Sequence, residues 1–363
     1  MSSNDSETQW TWTVSVRRTG KPTLSDVAAR AGVSTTTASY ILNGRTAEMR
    51  IAADTEERVR LAATELSYRP NRSARSLRTA STAMIGIVSD FIASGHVASH
   101  LLNGANAAAR ELDHLVVIGE SEGRRDVEEQ FIEDMLDRQV DGIIYATLAA
   151  RAVSAPAALR GQRAVLLNCI DRDADLPSVM PDDVMGGRVA AEALLAAGCT
   201  DGIYVVGEDP SDAVVAGPAR LEGVRQALGA AGVPLAGVVP CEWAVTASYD
   251  AVSEWLATSA SPQGLICLND RIAMGAYQAL ADRGLAIPDD VAVVSFDGSE
   301  LAGWLRPKLS SVALPFEAMG RQAVRMLIDE SFDGPHQVRL PMVLEPGGSL
   351  PASATAGLTP GLA

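Results

Sequence analysis

A run of hydroxyl side chains follows the turn Ala31-Gly32-Val33 near the start of the 363-residue chain. Short polar side chains at the beginning of a helix can hydrogen-bond to base edges in the major groove of DNA. The spacing therefore predicts a DNA-reading surface rather than a catalytic one. The candidate DNA-contacting residues of this stretch are Ser34, Thr35, Thr36, Thr37, Ser39, Tyr40, Asn43 and Arg45.

A first helix must support that turn. Thr23 and Asp26 have the spacing of a capping box, which predicts a helix from Leu24. Gly32 can take the left-handed conformation that ends such a helix. Residues at i, i+3, i+4 and i+7 would form its buried stripe, namely Leu24, Val27, Ala28 and Ala31.

A second helix must present the hydroxyl residues. Ser34 is suited to cap it and Asn43-Gly44 to end it, with Ala38, Ile41 and Leu42 facing inward. An ordinary helical hairpin with solvated hydroxyls is the alternative. A third amphipathic helix over 54–66 counts against that alternative, because it would close a three-helix core able to stand alone on DNA.

Arginine recurs at every third residue from Arg69 to Arg78. A helix begun at Asn71 would carry a basic strip for phosphates, and Leu77 could wedge between base pairs in the minor groove. A flexible, solvated linker is the alternative, since so short a helix is not stable alone in water. The candidate DNA contacts of this predicted hinge are Asn71, Arg72, Arg75 and Leu77.

Four blocks of sequence occur in a specific order, namely TLSDVAARAGVS, SYILNG, TEERVRLAATELSYRPNRSARSLRT and AMIGIV. They resemble the lactose repressor/galactose repressor family of bacterial transcription regulators. The resemblance implies a helix-turn-helix head, a hinge helix and a periplasmic-binding-protein-like core that senses a small molecule. It also implies that Thr35, Thr36 and Tyr40 read bases and that Leu77 is the wedge. Most members have an arginine where this chain has Tyr40, and tyrosine cannot make the bidentate guanine contact of arginine.

From residue 84 onward, short apolar strands alternate with helical periods, which predicts parallel sheets covered by helices on both faces. Two such series predict an all-α head followed by an α/β core of two doubly wound lobes with a cleft between them. We expect a disordered arm (1–20), a helix-turn-helix domain (21–68), a hinge (69–80), a core (81–345) and a flexible tail (346–363). Lobe one would comprise about 81–180 plus 316–343, and lobe two about 181–312.

Ligands of open parallel sheets lie at the carboxyl ends of the strands. Arginine, asparagine and aspartate at those ends suit hydrogen bonding to neighbouring hydroxyls, and an aromatic face covers the C–H side of a sugar ring. Taken singly, Asn269 could be a helix cap and Asp297 a turn residue. The family resemblance supports both, together with Arg220 and Trp243. The candidate effector-binding residues are Asp90, Phe91, Asn168, Arg220, Trp243, Asn269 and Asp297.

Charge is distributed unevenly along the chain. Residues 1–80 hold 12 Arg or Lys against 8 Asp or Glu, a net charge of +4, whereas the remainder carries −19. A basic end on an acidic body suits binding of a polyanion at one end only. The four cysteines form no CxxC pair, no apolar run is long enough to span a bilayer, and the first residues lack the apolar centre of a signal peptide. We therefore expect a cytoplasmic, nucleoid-associated bacterial protein.

Parts of the sequence also match the patterns of a hydrolase, a metal site and a solute-binding protein. Residues 119–123, GESEG, match the G-x-S-x-G motif of hydrolases, but two carboxylates flank Ser121 and would oppose an oxyanion. His96 and His100 have the spacing to share a metal on a helix, but no third ligand is indicated nearby. A periplasmic solute-binding protein would need an export signal and would leave the basic head unexplained. We therefore expect no catalytic residue, metal or cofactor.

The sequence thus predicts a homodimeric transcription repressor that binds a palindromic operator and a small-molecule effector. A sugar or sugar derivative is the leading candidate for the effector. A purine or nucleoside is the alternative, because Trp243 or Phe91 could stack on either kind of ring. Arg220 would suit a phosphate or carboxylate group equally well.

Overall fold

The computed structural model describes residues 22–69, 81–91, 99–172, 176–207, 214–259, 261–329 and 336–355. The chain divides into two units, residues 1–80 and residues 81–363. The predicted arm lies outside the described residues, as do His96 and the hinge candidates Asn71, Arg72, Arg75 and Leu77.

The first unit contains the helices α1 (Leu24–Ala31), α2 (Thr35–Leu42) and α3 (Ala53–Glu65). The predicted capping box starts α1: Thr23 Oγ1 accepts from Asp26 N at 3.3 Å, and the Asp26 carboxylate accepts from Thr23 N at 2.8 Å. Gly32 ends α1 with a φ of 67°. The predicted helix-turn-helix is confirmed. Its small core comprises Val27, Ala28, Ala31, Ala38, Ile41, Val59, Ala62 and Ala63.

Helix α2 has the ends that its sequence predicts. Ser34 Oγ accepts a hydrogen bond from Thr37 N at 3.0 Å and so satisfies a donor of the first turn. At the other end, Gly44 has a φ of 75°, and the Arg45 N–H donates to the Tyr40 carbonyl oxygen at 2.9 Å. That bond belongs to a Schellman motif, which turns the chain away from the helix axis.

The second unit alternates strands and helices over its described ranges. Its strands are β1 (Met84–Ser89), β2 (Leu115–Glu120), β3 (Gly142–Val153), β4 (Ala164–Asp171), β5 (Ser178–Pro181), β6 (Ile203–Val206), β7 (Leu235–Val239), β8 (Gly264–Cys267), β9 (Ala292–Asp297), β10 (Ser310–Ala313), β11 (Gln337–Leu340) and β12 (Val343–Glu345). Its helices are α4 (Ser99–Glu111), α5 (Arg125–Asp137), α6 (Asp183–Ala196), α7 (Ala216–Ala230), α8 (Val245–Thr258), α9 (Asp270–Asp282), α10 (Glu300–Trp304), α11 (Phe316–Ile328) and α12 (Ala352–Thr355).

Two separate sheets confirm the predicted pair of doubly wound lobes. In the part of the chain that is described, the sheet of lobe one has the order β11-β5-β4-β3-β1-β2 and is parallel throughout. The sheet of lobe two has the order β12-β10-β9-β8-β6-β7, and only β12 runs antiparallel to its neighbour. The central strands are buried on both faces, as parallel sheets require.

Glycines let pairs of helices pack closely in both lobes. In lobe one, a side chain at Gly104 of α4 would meet the backbone of α11 at Glu317. In lobe two, a Cβ atom at Gly187 of α6 would lie 2.0 Å from the carbonyl oxygen of Arg220 on α7. Only glycine fits at such an approach. The close contact between α6 and α7 brings Arg220 within reach of Asp183 at the start of α6.

After β11, which belongs to the sheet of lobe one, the chain returns to lobe two at β12. The sequence predicted that lobe one ends near residue 343 and that a flexible tail begins at 346. In the structure, Ser349 Oγ donates to the Val293 carbonyl oxygen at 2.6 Å and accepts from Ser310 N at 2.8 Å. Leu350 is buried in the core of lobe two. The expectation of a flexible tail is therefore wrong for residues 346–354, because this Gly- and Pro-rich stretch completes lobe two.

Candidate functional site

The outward face of α2 holds the candidate base-reading residues. Thr35 and Thr36 are exposed there, whereas Ser34 and Thr37 satisfy one another through a 2.8 Å contact between their hydroxyl groups. Ser34 and Thr37 therefore begin the helix and orient it. Thr35 and Thr36 remain the hydroxyl groups best placed to meet a base edge.

Asn43 and Ser39 are linked at the end of α2. The Asn43 side-chain amide donates to the Ser39 carbonyl oxygen at 2.7 Å and to Ser39 Oγ at 3.2 Å. In the same turn, the centre of the Arg45 guanidinium lies 5.1 Å from the centroid of the Tyr40 ring. Glu48, which sequence reasoning missed, pairs with Arg45 through both carboxylate oxygens. The hydrogen bonds from Arg45 lower the pKa of the Glu48 carboxyl.

In lobe two, the candidate effector residues surround the buried Arg220. Its Nε donates to Asp183 Oδ1 at 2.8 Å, and its Nη1 donates to the Leu268 carbonyl oxygen at 2.5 Å. Its Nη1 also lies 4.0 Å from Asp297 Oδ1. The centre of the guanidinium is 5.5 Å from the centroid of the Trp243 ring. The structure thus brings Arg220, Trp243 and Asp297 together, as the sequence predicted.

Asp297 is the last residue of β9, and its backbone is constrained. It has a φ of 111°, and its carbonyl oxygen accepts from Leu314 N at 3.2 Å. Burial, followed by the negative charge of Asp270, raises the pKa of the Asp297 carboxyl to about 7. The nearby Arg220 offsets only part of this rise.

Asp270 anchors the loop that carries Asp297. Its Oδ1 accepts from the hydroxyls of Ser295 and Ser311, and its Oδ2 accepts from Ser299 N and Oγ at 2.8 and 2.7 Å. Burial raises the pKa of the Asp270 carboxyl, and the serine hydrogen bonds oppose that rise. This residue ties β9, β10 and the start of α10 together. The sequence signal for it was only the dipeptide Asn269-Asp270 at a strand end.

Asn269 is a helix cap, the structural alternative to a function in effector binding. Its Oδ1 accepts from Ile272 N at 2.7 Å and so caps α9. The neighbouring Leu268 carbonyl oxygen is the acceptor for Arg220, so Asn269 stands beside the same group of residues.

Trp243 lies at the seam between the two lobes. It packs against a small apolar cluster of Ala150, Met180 and Ala216, which come from both lobes. Next to that cluster, Val215 N donates to the Ala150 carbonyl oxygen at 3.0 Å. Within the described residues, the buried indole Nε1 of Trp243 has no hydrogen-bond acceptor. A ligand oxygen in the cleft would supply one.

In lobe one, Asp90 and Asn168 both hold the middle of β3, where its register with β4 shifts between Ala146 and Arg151. Asp90 Oδ1 accepts from Leu148 N at 2.9 Å, and Asn168 Nδ2 donates to the Leu148 carbonyl oxygen at 2.9 Å. Asp90 Oδ2 also accepts from Arg151 Nη2 at 2.9 Å, a partner that the sequence did not reveal. Phe91 is 44% exposed and so offers an open aromatic face at this strand end.

One alternative site of the sequence is contradicted by the geometry, whereas the pair His96 and His100 lies only partly within the described residues. The buried Ser121 hydroxyl donates to the Ser89 carbonyl oxygen at 3.1 Å, so the serine of the G-x-S-x-G motif fixes a turn. His100 lies on α4, and no group of three or more potential metal ligands occurs among the described residues. None of the described helices is long and apolar enough to cross a membrane.

Comparison with known proteins agrees with this arrangement. Residues 23–71 match the family model described as bacterial regulatory proteins, lacI family, and residues 191–350 match a periplasmic binding protein-like domain. The HTH-type transcriptional regulator RegA of Clostridium saccharobutylicum is 32% identical over 308 residues, which cover 84% of this chain and 91% of RegA. The ribose operon repressor of Escherichia coli K12 is 30% identical over 311 residues, 84% of this chain and 92% of that protein.

A solved structure extends the comparison to the fold. The structure of the transcriptional regulator CelR in complex with cellobiose is 28% identical and superimposes with a TM-score of 0.63. The match covers 90% of this chain and 99% of that one. The head and both lobes of this chain therefore have counterparts in a protein with a sugar bound.

Proposed function

The chain belongs to the lacI family of bacterial regulatory proteins, and from this premise we propose that it is a homodimeric repressor controlled by a neutral sugar. Members of this family are transcription regulators rather than enzymes. The chain is accordingly a sequence-specific DNA-binding regulator, and it would act on the nucleoid DNA of the bacterial cytoplasm.

The face of α2 carries the proposal for DNA binding. Its exposed Thr35 and Thr36 and its half-buried Tyr40 present hydrogen-bonding groups from one short helix, as a recognition helix in the major groove requires. The net charge of +4 over residues 1–80 favours contact with phosphates. Two copies related by a twofold axis would read an inverted repeat.

An exposed apolar strand supports the homodimer. Strand β2 is the edge of the lobe-one sheet, and its side chains Leu115, Val117 and Ile118 are 55%, 36% and 39% exposed. A long apolar edge strand left open to water favours pairing with another chain. A second copy of this chain would cover it and bring two heads onto one operator.

Arg220 carries the proposal that the effector is uncharged. The sequence alone allowed a phosphate or carboxylate partner for this arginine. In the structure Arg220 already pairs with Asp183 at 2.8 Å and lies 4.0 Å from Asp297, so its charge is already matched by carboxylates of the protein. A further anion would meet net repulsion in a low-dielectric site. Hydroxyl groups that donate to Asp297 and accept from Arg220 fit without that cost.

The aromatic residues complete the recognition of a sugar. The Trp243 ring lies over the arginine and offers a face to the C–H side of a pyranose or furanose ring. The CelR complex with cellobiose and the name of the ribose operon repressor point to the same chemical class. A purine would also stack on Trp243, so a nucleoside is the competing outcome of the experiment below.

The backbone of Asp297 connects the proposed effector site to the segment of chain that runs from lobe two into lobe one. Leu314 donates to its carbonyl oxygen, and the Leu314 side chain packs against the apolar clusters of both lobes. A bound sugar that hydrogen-bonds to Asp297 and displaces it would therefore also displace the segment that leads from β10 to α11. We infer that closure of the cleft changes the spacing of the two copies of residue 81 in the dimer and thereby the fit of the heads to the operator.

A thermal-shift screen of the full-length chain with neutral sugars, sugar phosphates and nucleosides tests the effector class. A neutral sugar should raise the melting temperature by preferential binding to the folded state. Asp297→Asn should lose that rise, whereas the exposed Asp289→Asn should keep it. A rise produced only by a phosphorylated sugar or a nucleoside would replace the neutral sugar as the effector.

A further inference from the structure

Three side chains at the end of α2 form an ordered group, which we call the Tyr40 stack: Tyr40, Arg45 and Glu48. Arg45 Nε donates to Glu48 Oε2 at 2.7 Å, and Arg45 Nη2 donates to Glu48 Oε1 at 2.5 Å. The guanidinium centre lies 5.1 Å from the centroid of the Tyr40 ring. The carboxylate, the guanidinium and the ring therefore support one another in series.

The backbone places this stack. The Gly44 N–H donates to the Ile41 carbonyl oxygen at 3.1 Å and the Arg45 N–H to the Tyr40 carbonyl oxygen at 2.9 Å, with Gly44 at a φ of 75°. These are the two bonds of a Schellman motif, in which the residue after the glycine packs on the residue five positions earlier. An apolar pair usually fills those two positions. Here a guanidinium on an aromatic face fills them, which is a favourable cation–π arrangement.

Glu48 occupies the Nε and Nη2 edge of the Arg45 guanidinium. A carboxylate that accepts two parallel hydrogen bonds from the Nε and Nη2 edge fixes the plane of the guanidinium. The Nε and Nη2 donors of Arg45 are then already paired, so this edge is not available for bidentate reading of a base. An acidic side chain beside a DNA-reading helix also opposes phosphate binding, so Glu48 does not contribute to affinity as a charge. Its contacts hold the Arg45 guanidinium that lies over the tyrosine ring.

We propose that Glu48 is a positioning residue for base selection, which holds Arg45 against Tyr40 so that the Tyr40 ring selects a T·A pair. The proposal rests on the proposed function, since it assigns a reading chemistry to α2. A tyrosine ring presents an apolar edge and one hydroxyl, which suit the methyl group of thymine and leave the two acceptors of guanine unmatched. At the base pair that residue 40 contacts, this chain therefore prefers thymine, whereas a chain with arginine at residue 40 would prefer guanine.

The test compares Glu48→Gln with a matched control in the same head. Glu65→Gln removes one negative charge from a similarly exposed ion pair, Glu65 with Arg30 at 2.7 Å, which joins α3 to α1. Each variant loses one negative charge, so both should bind random duplex somewhat more tightly than the wild type. Duplexes with a randomised core are selected with the wild-type chain and with each variant, and binding is then measured by fluorescence anisotropy.

The wild type and Glu65→Gln should enrich the same inverted repeat, and Tyr40→Ala should identify the base pair that Tyr40 reads. Glu48→Gln should reduce discrimination for thymine at that pair by about fivefold, with preferences elsewhere unchanged. Arg45→Lys should do the same, because it keeps the charge and loses the planar fork. Replacing the thymine with uracil, which removes only the methyl group, should weaken wild-type binding and leave Glu48→Gln nearly unaffected.

Three results would overturn the inference: guanine enriched at that pair, full thymine discrimination in Glu48→Gln, or an equal loss of preference at every position together with a lower melting temperature. The last result would mean that the stack only stabilises the end of α2. If the wild type enriches no sequence at all, the proposed function fails, and that outcome is distinct from the three above.

Discussion

Asp297 is the residue at which the proposed effector contact, a buried charge and the segment between the lobes meet. Its carboxyl lies 4.0 Å from Arg220 and its carbonyl oxygen accepts from Leu314. Burial raises its pKa to about 7, from an ordinary value of 3.8. Such a carboxyl changes its charge near neutral pH, so the site is sensitive to pH where an exposed aspartate would not be.

This pKa predicts the pH dependence of stability. The folded chain holds the proton up to about pH 7, whereas the unfolded chain releases it near 3.8. The stabilising contribution is therefore complete below the unfolded pKa and is lost as pH rises to about 7. Asp297→Asn should gain stability relative to the wild type between about pH 4 and about pH 8, by a difference on the order of 2–4 kcal/mol at most.

Urea denaturation of both chains across that pH range measures the difference, with Asp289→Asn as the exposed control. Asp289→Asn removes one carboxyl from the surface and so controls for the loss of a charge. A constant difference between Asp297→Asn and the wild type would show that Asp297 does not titrate in this range.

At the scale of helices and strands, local signals were sufficient for the head. The Thr23 capping box, Gly32 and the Asn43-Gly44 stop each act within one turn of helix, so sequence spacing alone predicts them. The alternation of strands and helices likewise predicted both lobes. Trp243 and Asp297 were predicted because strands of a parallel sheet end at a common edge. Arg220 lies within α7 and was indicated by the family resemblance.

Long-range pairings were beyond the same signals. Asp270 reaches Ser295, Ser299 and Ser311 across separate elements, and no local spacing marks such a network. The segment after β12 looked like a tail because it is rich in glycine and proline, yet Leu350 is 2% exposed. Arg151 and Glu48 were missed for a similar reason, since an ion pair is defined by geometry and charged residues are common.

The edge strand β2 gives a prediction about assembly. Leu115→Glu should convert the dimer to a monomer in sedimentation experiments, because it places a charge in the apolar edge that a second copy would cover. Operator affinity should fall by about a hundredfold or more, since two linked heads no longer bind together. Val343→Glu, on the exposed edge strand β12 of lobe two, is the matched control and should remain dimeric. A dimeric Leu115→Glu would place the interface elsewhere.

At the scale of the whole molecule, the chain combines a basic head with an acidic core. The net charge of +4 over residues 1–80 and of −19 over the remainder directs a polyanion to one end. The core would add control, because a ligand that prefers one arrangement of the lobes changes operator affinity by its differential binding energy. A coupling of ~1–3 kcal/mol corresponds to a change of about five- to 150-fold.

The most direct measurement of this account is selection of duplexes from a random pool by the purified full-length chain at moderate salt, followed by an affinity titration. The account predicts an enriched inverted repeat bound at least about a thousandfold more tightly than unselected duplex. Thr36→Ala should reduce that ratio. Equal affinity for selected and random duplexes would contradict sequence-specific binding by the head.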